Sequence, residues 1–515
     1  MTGGFIDGRT LADGATVKAD VCVIGSGAGG AVTAAQLATA GFDVLVVEEG
    51  GHHTRPEFVM REDVNFPMLY QEAGGRMTKD LALNVLQGRA VGGSTVVNWT
   101  TSFRTPDHVY DHWRTQHAVG GITIADLNPH WDAVEQRLNV KKIPYEETNR
   151  NNRTLYDGCK ALGLAVDTTR RNVKGCMNSG YCGMGCPIDA KMSMLQTYLP
   201  DAVAAGARVL SRCRVERLIR DGSAIGGAAG TIIGDDGYNS AGKRITVAAR
   251  RFVLSAGGIG SPAILIRSGF GGTHHSLVGK QTWLHPVAGV AARWKEPIEP
   301  YYGAPQSVAS HAHAHRGDDA GVFYEAAPLH PMMATVVLPG IGKWHQERMK
   351  QLPFTSAHIA LSIDGFHVSE VGGSVSVRPS GAPLLDYPVP PRILEALRFG
   401  LKTLARIDFA AGAEELAIGE APSLTLRSPA DIAQIDRYDM TRMPLFSAHV
   451  MGGCKMGDDP SRAVVRSSDL RHHTIENLHI VDGSVFPTSL GVNPQLSIYG
   501  LAHLVSSRLA HSWKT

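Results

Sequence analysis

The chain has 515 residues, 50 basic and 48 acidic, for a formal net charge of +2. That length predicts more than one core, and the near-balanced charge argues against a nucleic-acid partner. No apolar run approaches the roughly 20 residues of a membrane span, and Met1 to Arg9 lack the basic and apolar regions of a secretory signal, so a cytoplasmic protein is expected, with peripheral membrane association left open.

In chain order, Val21 to Ile24 reads as a buried parallel strand. Gly25, Gly27 and Gly30 follow at G-x-G-x-x-G spacing, Ala31 to Ala40 continues as a helix, and a second apolar strand, Val44 to Val47, ends in Glu48. Gly25 makes the tight turn, Gly27 lets a pyrophosphate approach the backbone, and Gly30 lets helix pack on strand. Phosphate charge sits at the helix N-terminus, and Glu48 can accept from ribose hydroxyls. The unit predicts a dinucleotide site, and NAD and FAD both fit it. A total of 58 glycines suits a chain that brings its backbone close to a large cofactor.

Gly88 to Trp99 is glycine-rich, and Asp107 to Lys142 is polar and helix-compatible, with Trp113 and Trp131 as packing anchors. A cysteine-rich loop occupies 176–186. A helix is expected over Ser193 to Ala205, then a strand over Ala207 to Leu218. Asp235-Asp236-Gly237 turns a hairpin spanning about 221–250, Arg251 to Ser255 reads as a buried strand, and Ser261-Pro262 begins a helix. Residues 285–440 change character to short broken strands with one helix near Pro391 to Ala405. Strand character returns at Leu478 to Asp482, before a last helix over Gln495 to His511. Of seven cysteines, Cys22 and Cys213 read as inert core thiols.

Four of these segments together resemble the glucose–methanol–choline family of FAD oxidoreductases: the Gly25/Gly27/Gly30/Glu48 unit, Gly88 to Asn98, Ser255 to Pro262, and the run from Ser447 to Leu504. The resemblance implies FAD rather than NAD. It implies contacts from Gly92, Gly93, Ser94, Asn98 and Ala256, from Asp482 and Gly483 at the ribityl and phosphate end, and from the Val215 backbone at the adenine. Some relatives attach FAD through a His just before the Asn98 position. Val97 stands there, so FAD is expected to be non-covalent. The implied fold is α/β: a Rossmann-like FAD-binding domain from 15–110, 190–284 and 440–515, a connecting segment at 111–189, and a mainly antiparallel β-sheet substrate domain with helices at 285–439.

Oxidising an alcohol requires a base at the hydroxyl and a donor to hold the oxygen while hydride leaves the carbon. The resemblance places His449 and Asn493 in those roles. A neutral imidazole can take the proton, and an amide can only donate. Pro494 and Gln495 open the last helix, whose positive end can face a flavin's N1–C2=O edge. His473, His479 and His503 read as structural, and Cys454 as a packing residue.

Cys176, Cys182 and Cys186, at x5 and x3 spacing, are compatible with a 3Fe–4S cluster, as in one branch of that family, or with buried thiols on a glycine-rich loop. Zinc lacks an obvious fourth ligand. His311, His313 and His315 share one face if they form a strand, where a polar strand is the plainer reading than a metal site. Met332, Met333, Phe354 and Phe366 are expected to give the substrate space an apolar surface.

The expected reaction is FAD-dependent oxidation of a long-chain or aromatic primary alcohol. The alternatives are a sugar or polyol dehydrogenase relaying electrons through a cluster to a cytochrome, and a non-enzymatic flavin-binding protein. The acceptor is a quinone-like compound, a cytochrome or O2, and the missing signal peptide favours the quinone-like one.

Overall fold

Strand Ala15–Ile24 lies at the middle of a twisted sheet, parallel to Val44–Val47 on one side and to Ser240–Leu254 on the other. Arg208–Ser211 and Gly4–Asp7 extend the parallel part, and Leu478–Ile480 joins beside the end of Ser240–Leu254. Ala224–Ile233 and Cys213–Asp221 complete the sheet as an antiparallel meander. This computed structural model describes residues 3–270, 277–338, 340–419 and 423–514.

Val21, Cys22, Val23, Val44, Leu45 and Val46 are fully buried, as expected of parallel strands covered on both faces. Each such aliphatic side chain contributes about 1.5–3 kcal/mol on burial. Helix Ala28–Thr39 packs on this sheet and against the last helix, Gln495–Ser512, and Gln36 Nε2 meets His503 Nε2 at 2.9 Å between them. Trp113 and Trp131 are buried and tie helices Asp107–Gln116 and Ile124–Arg137 to the C-terminal segment. Their indole N–H groups donate to Thr488 Oγ1 and to the Leu496 carbonyl.

The second large sheet is antiparallel, in the order Leu424–Leu426, Glu415–Ile418, Val287–Arg293, Thr355–Ser362, Val322–Ala326, Val308–His313 and Asp167–Thr168. Helix Pro391–Ala410 covers one face with Ile393, Leu397, Leu401 and Leu404 fully buried. Leu445–Ser447 pairs with Val287 and runs parallel to Leu83–Val85 within this second sheet, and Met451–Gly452, just beyond His449, pairs with Lys280–Trp283 in a separate small sheet.

Several local expectations shift. Residues 193–197 are not helical: Met194 N–H donates to Thr95 Oγ1, and the helix begins at Tyr198. The expected strand 207–218 breaks at Arg212, which has φ 55° and donates its N–H to the Gly50 carbonyl. The helix expected from Ser261 begins at Gly257, because Asp482 accepts from both the Gly257 N–H and the Ser261 hydroxyl. A register shift between Ser310 and His313 puts His311 and His313 on opposite faces. His311 stacks on Phe323, and His313 Nδ1 meets the Tyr324 hydroxyl. Among the described residues, no helix is long and apolar enough to cross a membrane.

Candidate active site

The turn after Ile24 forms the floor of a cavity of about 780 Å³ lined from both sheets. Gly25 has φ +99°, and a Cβ there would lie 2.3 Å from the Ser255 carbonyl oxygen. Gly27 is different: a Cβ would meet only Gly93 Cα at 3.9 Å, so its space opens into the cavity. Gly30 faces away, with a Cβ position 1.9 Å from the Gly25 carbonyl oxygen, which is the close helix–strand contact its motif position predicts. Gly92 also lies outside the lining. Its N–H donates to Ser26 Oγ and its φ of 99° starts the turn that carries Gly93 and Ser94 into the cavity.

Glu48 reaches the cavity from the end of its strand with much of its capacity used. Oε2 accepts from the Ser26 N–H and hydroxyl at 3.0 and 2.6 Å, and Oε1 accepts from the Gly50 N–H at 2.9 Å. Burial pushes its carboxyl above the ordinary value. Val215 lines the same end. Ala256, Asp482 and Gly483 line the middle. Asp482 is bonded to the Gly257 and Ser484 N–H groups and to Ser261, so it braces the turn it faces. Asn98, Pro494 and Gln495 line the far end, where Asn98 donates to Gln495 Oε1 at 2.6 Å.

His449 and Asn493 meet at that far end, His449 Nε2 lying 3.4 Å from Asn493 Nδ2. Strand Leu445–Ser447 and the tight backbone at Gly452 and Gly453 (φ 77° and 94°) present His449, whose N–H donates to Ser447 Oγ. Burial holds the His449 imidazole down to about 4, so it is neutral near pH 7 and able to accept a proton.

Behind it stands a residue that sequence reasoning missed. His285 Nδ1 is 3.2 Å from His449 Nδ1, and the Gly491 N–H donates to His285 Nε2 at 3.0 Å. Burial and the neighbouring His449 keep His285 well below the usual imidazole value. Asp364 fixes its backbone, accepting from the Leu284 and His285 N–H groups and from the Tyr387 hydroxyl. The Leu284-His285-Pro286 sequence carries no spacing signal that would have singled it out.

Over the pair, the cavity is roofed by Val287, Ile359, Leu361 and Phe446, with Trp99 at its side. The roof is apolar as expected but made of other residues. Met332, Met333, Phe354 and Phe366 do not line the cavity, and Phe366 packs instead against His112.

The cysteine loop does not make a ligand set. Among the described residues, no three His, Cys, Asp or Glu side chains converge as metal ligands would. Cys182 Sγ accepts from Arg171 Nη2 at 3.3 Å and Cys176 Sγ from the Asn178 N–H at 3.4 Å, each held by its own local partner. The expectation of a possible 3Fe–4S cluster on Cys176, Cys182 and Cys186 is corrected accordingly, and His311, His313 and His315 form no site either.

Residues 66–287 and 371–502 match the family models for GMC oxidoreductase, and residues 23–54 match an NAD(P)-binding Rossmann-like domain. The chain belongs to the GMC oxidoreductase family. An uncharacterised GMC-type oxidoreductase of Mycobacterium tuberculosis is 35% identical over 95% of this chain and 76% of its own length. A long-chain-alcohol oxidase of Arabidopsis thaliana is 29% identical over 96% of this chain and 68% of its own. The solved pyridoxine 4-oxidase of Mesorbium loti superposes with a TM-score of 0.72 over 96% of this chain and 99% of that one, at 19% identity, a likeness of fold.

As a GMC oxidoreductase the protein uses FAD and oxidises CH–OH groups. The residues present fit a flavin dinucleotide. The cavity's glycine floor leaves room at Gly27, and two buried carbonyl oxygens of lining residues, Asn98 Oδ1 and Asn493 Oδ1, have no hydrogen-bond partner among the described residues.

Proposed function

We propose that this GMC oxidoreductase oxidises a primary alcohol of long-chain or aromatic type to the aldehyde, with FAD held non-covalently. The observation that carries the reading is the His449–Asn493 pair at 3.4 Å under the apolar roof of Val287, Ile359, Leu361 and Phe446. Bound FAD supplies the hydride acceptor. The chain's own residues do the rest. Asn493 Nδ2 donates to the substrate oxygen, His449 Nε2 takes the hydroxyl proton, and the apolar roof excludes water and holds the alkyl or aryl tail. Val97, where some relatives carry a linking His, has no group to bond a flavin. Four apolar side chains offer little to a sugar's hydroxyls, which supports the alcohol over the polyol. Relatives named as oxidases support O2 as acceptor.

The test is His449→Ala in FAD-loaded enzyme, assayed with a long-chain primary alcohol, an aryl alcohol and a hexose. A fall in kcat of about 10²–10⁴ with flavin retained is expected. Unchanged turnover would remove His449 as the base, and a preference for the hexose would overturn the substrate class. Peroxide release against dye reduction under nitrogen separates O2 from a quinone-like acceptor.

A further inference from the structure

Glu325 lies in strand Val322–Ala326, fully buried, and the reaction as described makes no use of it. Its Oε2 accepts from Gln306 Nε2 at 2.6 Å and from Asn493 Nδ2 at 3.4 Å. Its Oε1 has no hydrogen-bond partner among the described residues. Gln306 and Asn493 both face the cavity, so this carboxyl stands directly behind two of its amides.

Two chains of hydrogen bonds converge on His449 and require opposite things of it. From one side, the Gly491 N–H donates to His285 Nε2. A neutral imidazole carries a single proton, so that of His285 lies on Nδ1, pointing at His449 Nδ1. The proton of His449 is then left on Nε2, the nitrogen beside Asn493. From the other side, Asn493 turns Nδ2 towards both Glu325 and that same Nε2. An amide N–H facing an imidazole N–H is repulsive, and both Asn493 contacts are long. Half a turn of the amide about its last bond brings Oδ1 to Nε2–H and to Glu325. A carboxylate would repel that oxygen, whereas a carboxylic acid would donate to it.

We propose that Glu325 is a positioning residue whose proton selects between two states of the His449–Asn493 pair. With Glu325 protonated, Asn493 Oδ1 accepts from Glu325 and from His449 Nε2–H, and His449 is held as a donor. With Glu325 ionised, Asn493 Nδ2 donates one N–H to Glu325 and rests the other on a bare His449 Nε2 until an alcohol enters, whose oxygen then takes that second N–H while its hydroxyl proton faces Nε2. The protons of the two histidines then lie on His449 Nδ1 and His285 Nε2, and the Gly491 N–H gives up its acceptor. One proton leaves Glu325 for solvent, and both imidazoles stay neutral throughout. Only the second state can take the hydroxyl proton, so the inference rests on His449 being the base.

The surroundings allow Glu325 to titrate alone. Burial raises it to about 8, against two amide hydrogen bonds that lower it, with no charged side chain among the described residues acting on it. Burial holds His449 and His311 near 4 and keeps His285 well below the usual imidazole value, so all three are neutral in that range. On the strand paired with Glu325 and the helix packed over it, His358 and Asp408 are bonded to each other.

The test is the pH profile of kcat/KM for a primary alcohol with FAD-loaded enzyme. For the unmodified enzyme, activity is expected to rise about tenfold per pH unit and level off above about 8. Glu325→Gln, which cannot ionise and whose amide N–H can donate to Asn493 Oδ1, is expected to lose that limb and to sit at least about tenfold below the plateau, with flavin content unchanged. Adding His285→Asn, which can accept from His449 Nδ1–H, is expected to restore much of the lost rate. Glu325→Gln keeping both limb and plateau would overturn the proposal. If that variant does not fold, infrared titration of the unmodified enzyme decides: a protonated-carboxyl band must vanish with the midpoint of the activity limb. His449→Ala separates the two ideas, since full activity there would remove the base itself, whereas an inactive His449→Ala beside an unaltered Glu325→Gln profile would remove only the role of Glu325.

Discussion

Asn98 Nδ2 donates to Gln495 Oε1 at 2.6 Å and joins segments 397 residues apart in sequence. Gln495 Oε1 also accepts from the Tyr499 hydroxyl, and its Nε2 donates to the Thr101 carbonyl at 2.7 Å and to Asn172 Oδ1 at 3.2 Å. One side chain thus locks the start of the last helix to the loop that carries Asn98, and so fixes the helix's positive end at the far end of the cavity.

Gln495→Leu keeps the volume and removes all these bonds. The Asn98 amide, the Tyr499 hydroxyl and the Thr101 carbonyl would be left buried without this partner, at about 1–3 kcal/mol for each group stranded. A clear drop in thermal midpoint and faster FAD loss on gel filtration are expected. An unchanged midpoint would mean that water replaces the bracket.

The opening strand–turn–helix was legible because one local pattern contains its whole purpose. Gly25 and Gly30 serve close contacts with Ser255 at the end of the neighbouring strand and with the Gly25 carbonyl, and Gly27 leaves open space beside the cavity. His449 and Asn493 were legible for a different reason, since both lie in segments whose family resemblance is strong. Glu325 and His285 were not. Glu325 sits mid-chain in a strand and His285 in the link between Lys280–Trp283 and Val287–Arg293, neither with distinctive spacing, and only the antiparallel pairing of 287–293, 355–362 and 322–326 brings them behind His449 and Asn493. His311 and His313 do not share the face that a regular strand would give them, because a bulge reverses the alternation there, and the plainer reading of a polar strand stands. The apolar roof was expected in kind, but Val287, Ile359 and Leu361 are ordinary strand residues until the sheet is assembled.

The first-turn glycines should separate folding from cofactor binding. A Cβ on Gly29 would lie 1.7 Å from the Val481 carbonyl oxygen, a backbone atom that cannot yield without moving the strand that carries Asp482. Gly29→Ala is expected to give little soluble protein. Gly27→Ala adds a methyl whose nearest neighbour among the described residues, Gly93 Cα, is 3.9 Å away, so the apoprotein should fold normally. Its new methyl would stand where a pyrophosphate approaches the backbone. Normal circular dichroism with little bound flavin is the expected result for Gly27→Ala, and full flavin occupancy would contradict the placement of the phosphates.

Lys191 offers a test of how the cysteine loop is held. Its ammonium is buried and donates to the carbonyls of Val96, Asn98 and Cys182 at 2.6, 2.8 and 2.5 Å. Burial brings it down to about 8. Lys191→Met preserves the stem and removes every donor, at about 1–3 kcal/mol per stranded carbonyl. The loop should then part from residues 96–98, and Cys182 and Cys186 should react with a thiol reagent several-fold faster than in the unmodified protein, while the buried Cys22 and Cys454 should not. Equal labelling rates would show that the loop is held by its other contacts.

The His358–Asp408 pair sets a measurable pH dependence of stability. The two side chains are fully buried with Nδ1 and Oδ1 2.6 Å apart, and His358 Nε2 lies 3.0 Å from the Asn151 carbonyl oxygen. Burial alone would push the imidazole down, but the Asp408 carboxylate and that carbonyl outweigh it and raise His358 above 6.5. Because the folded value exceeds the unfolded one, the stabilisation is fully present below about pH 6.5 and is lost as the pH rises through the folded value. Asp408→Asn leaves a buried imidazolium unpaired and should cost about 3–5 kcal/mol under acid conditions. Urea midpoints of the two proteins should therefore lie furthest apart near about pH 5.5 and draw together towards about pH 9. A gap of constant size across that range would mean that His358 is neutral in the folded protein, and that the pair is an ordinary hydrogen bond between an imidazole and a carboxyl.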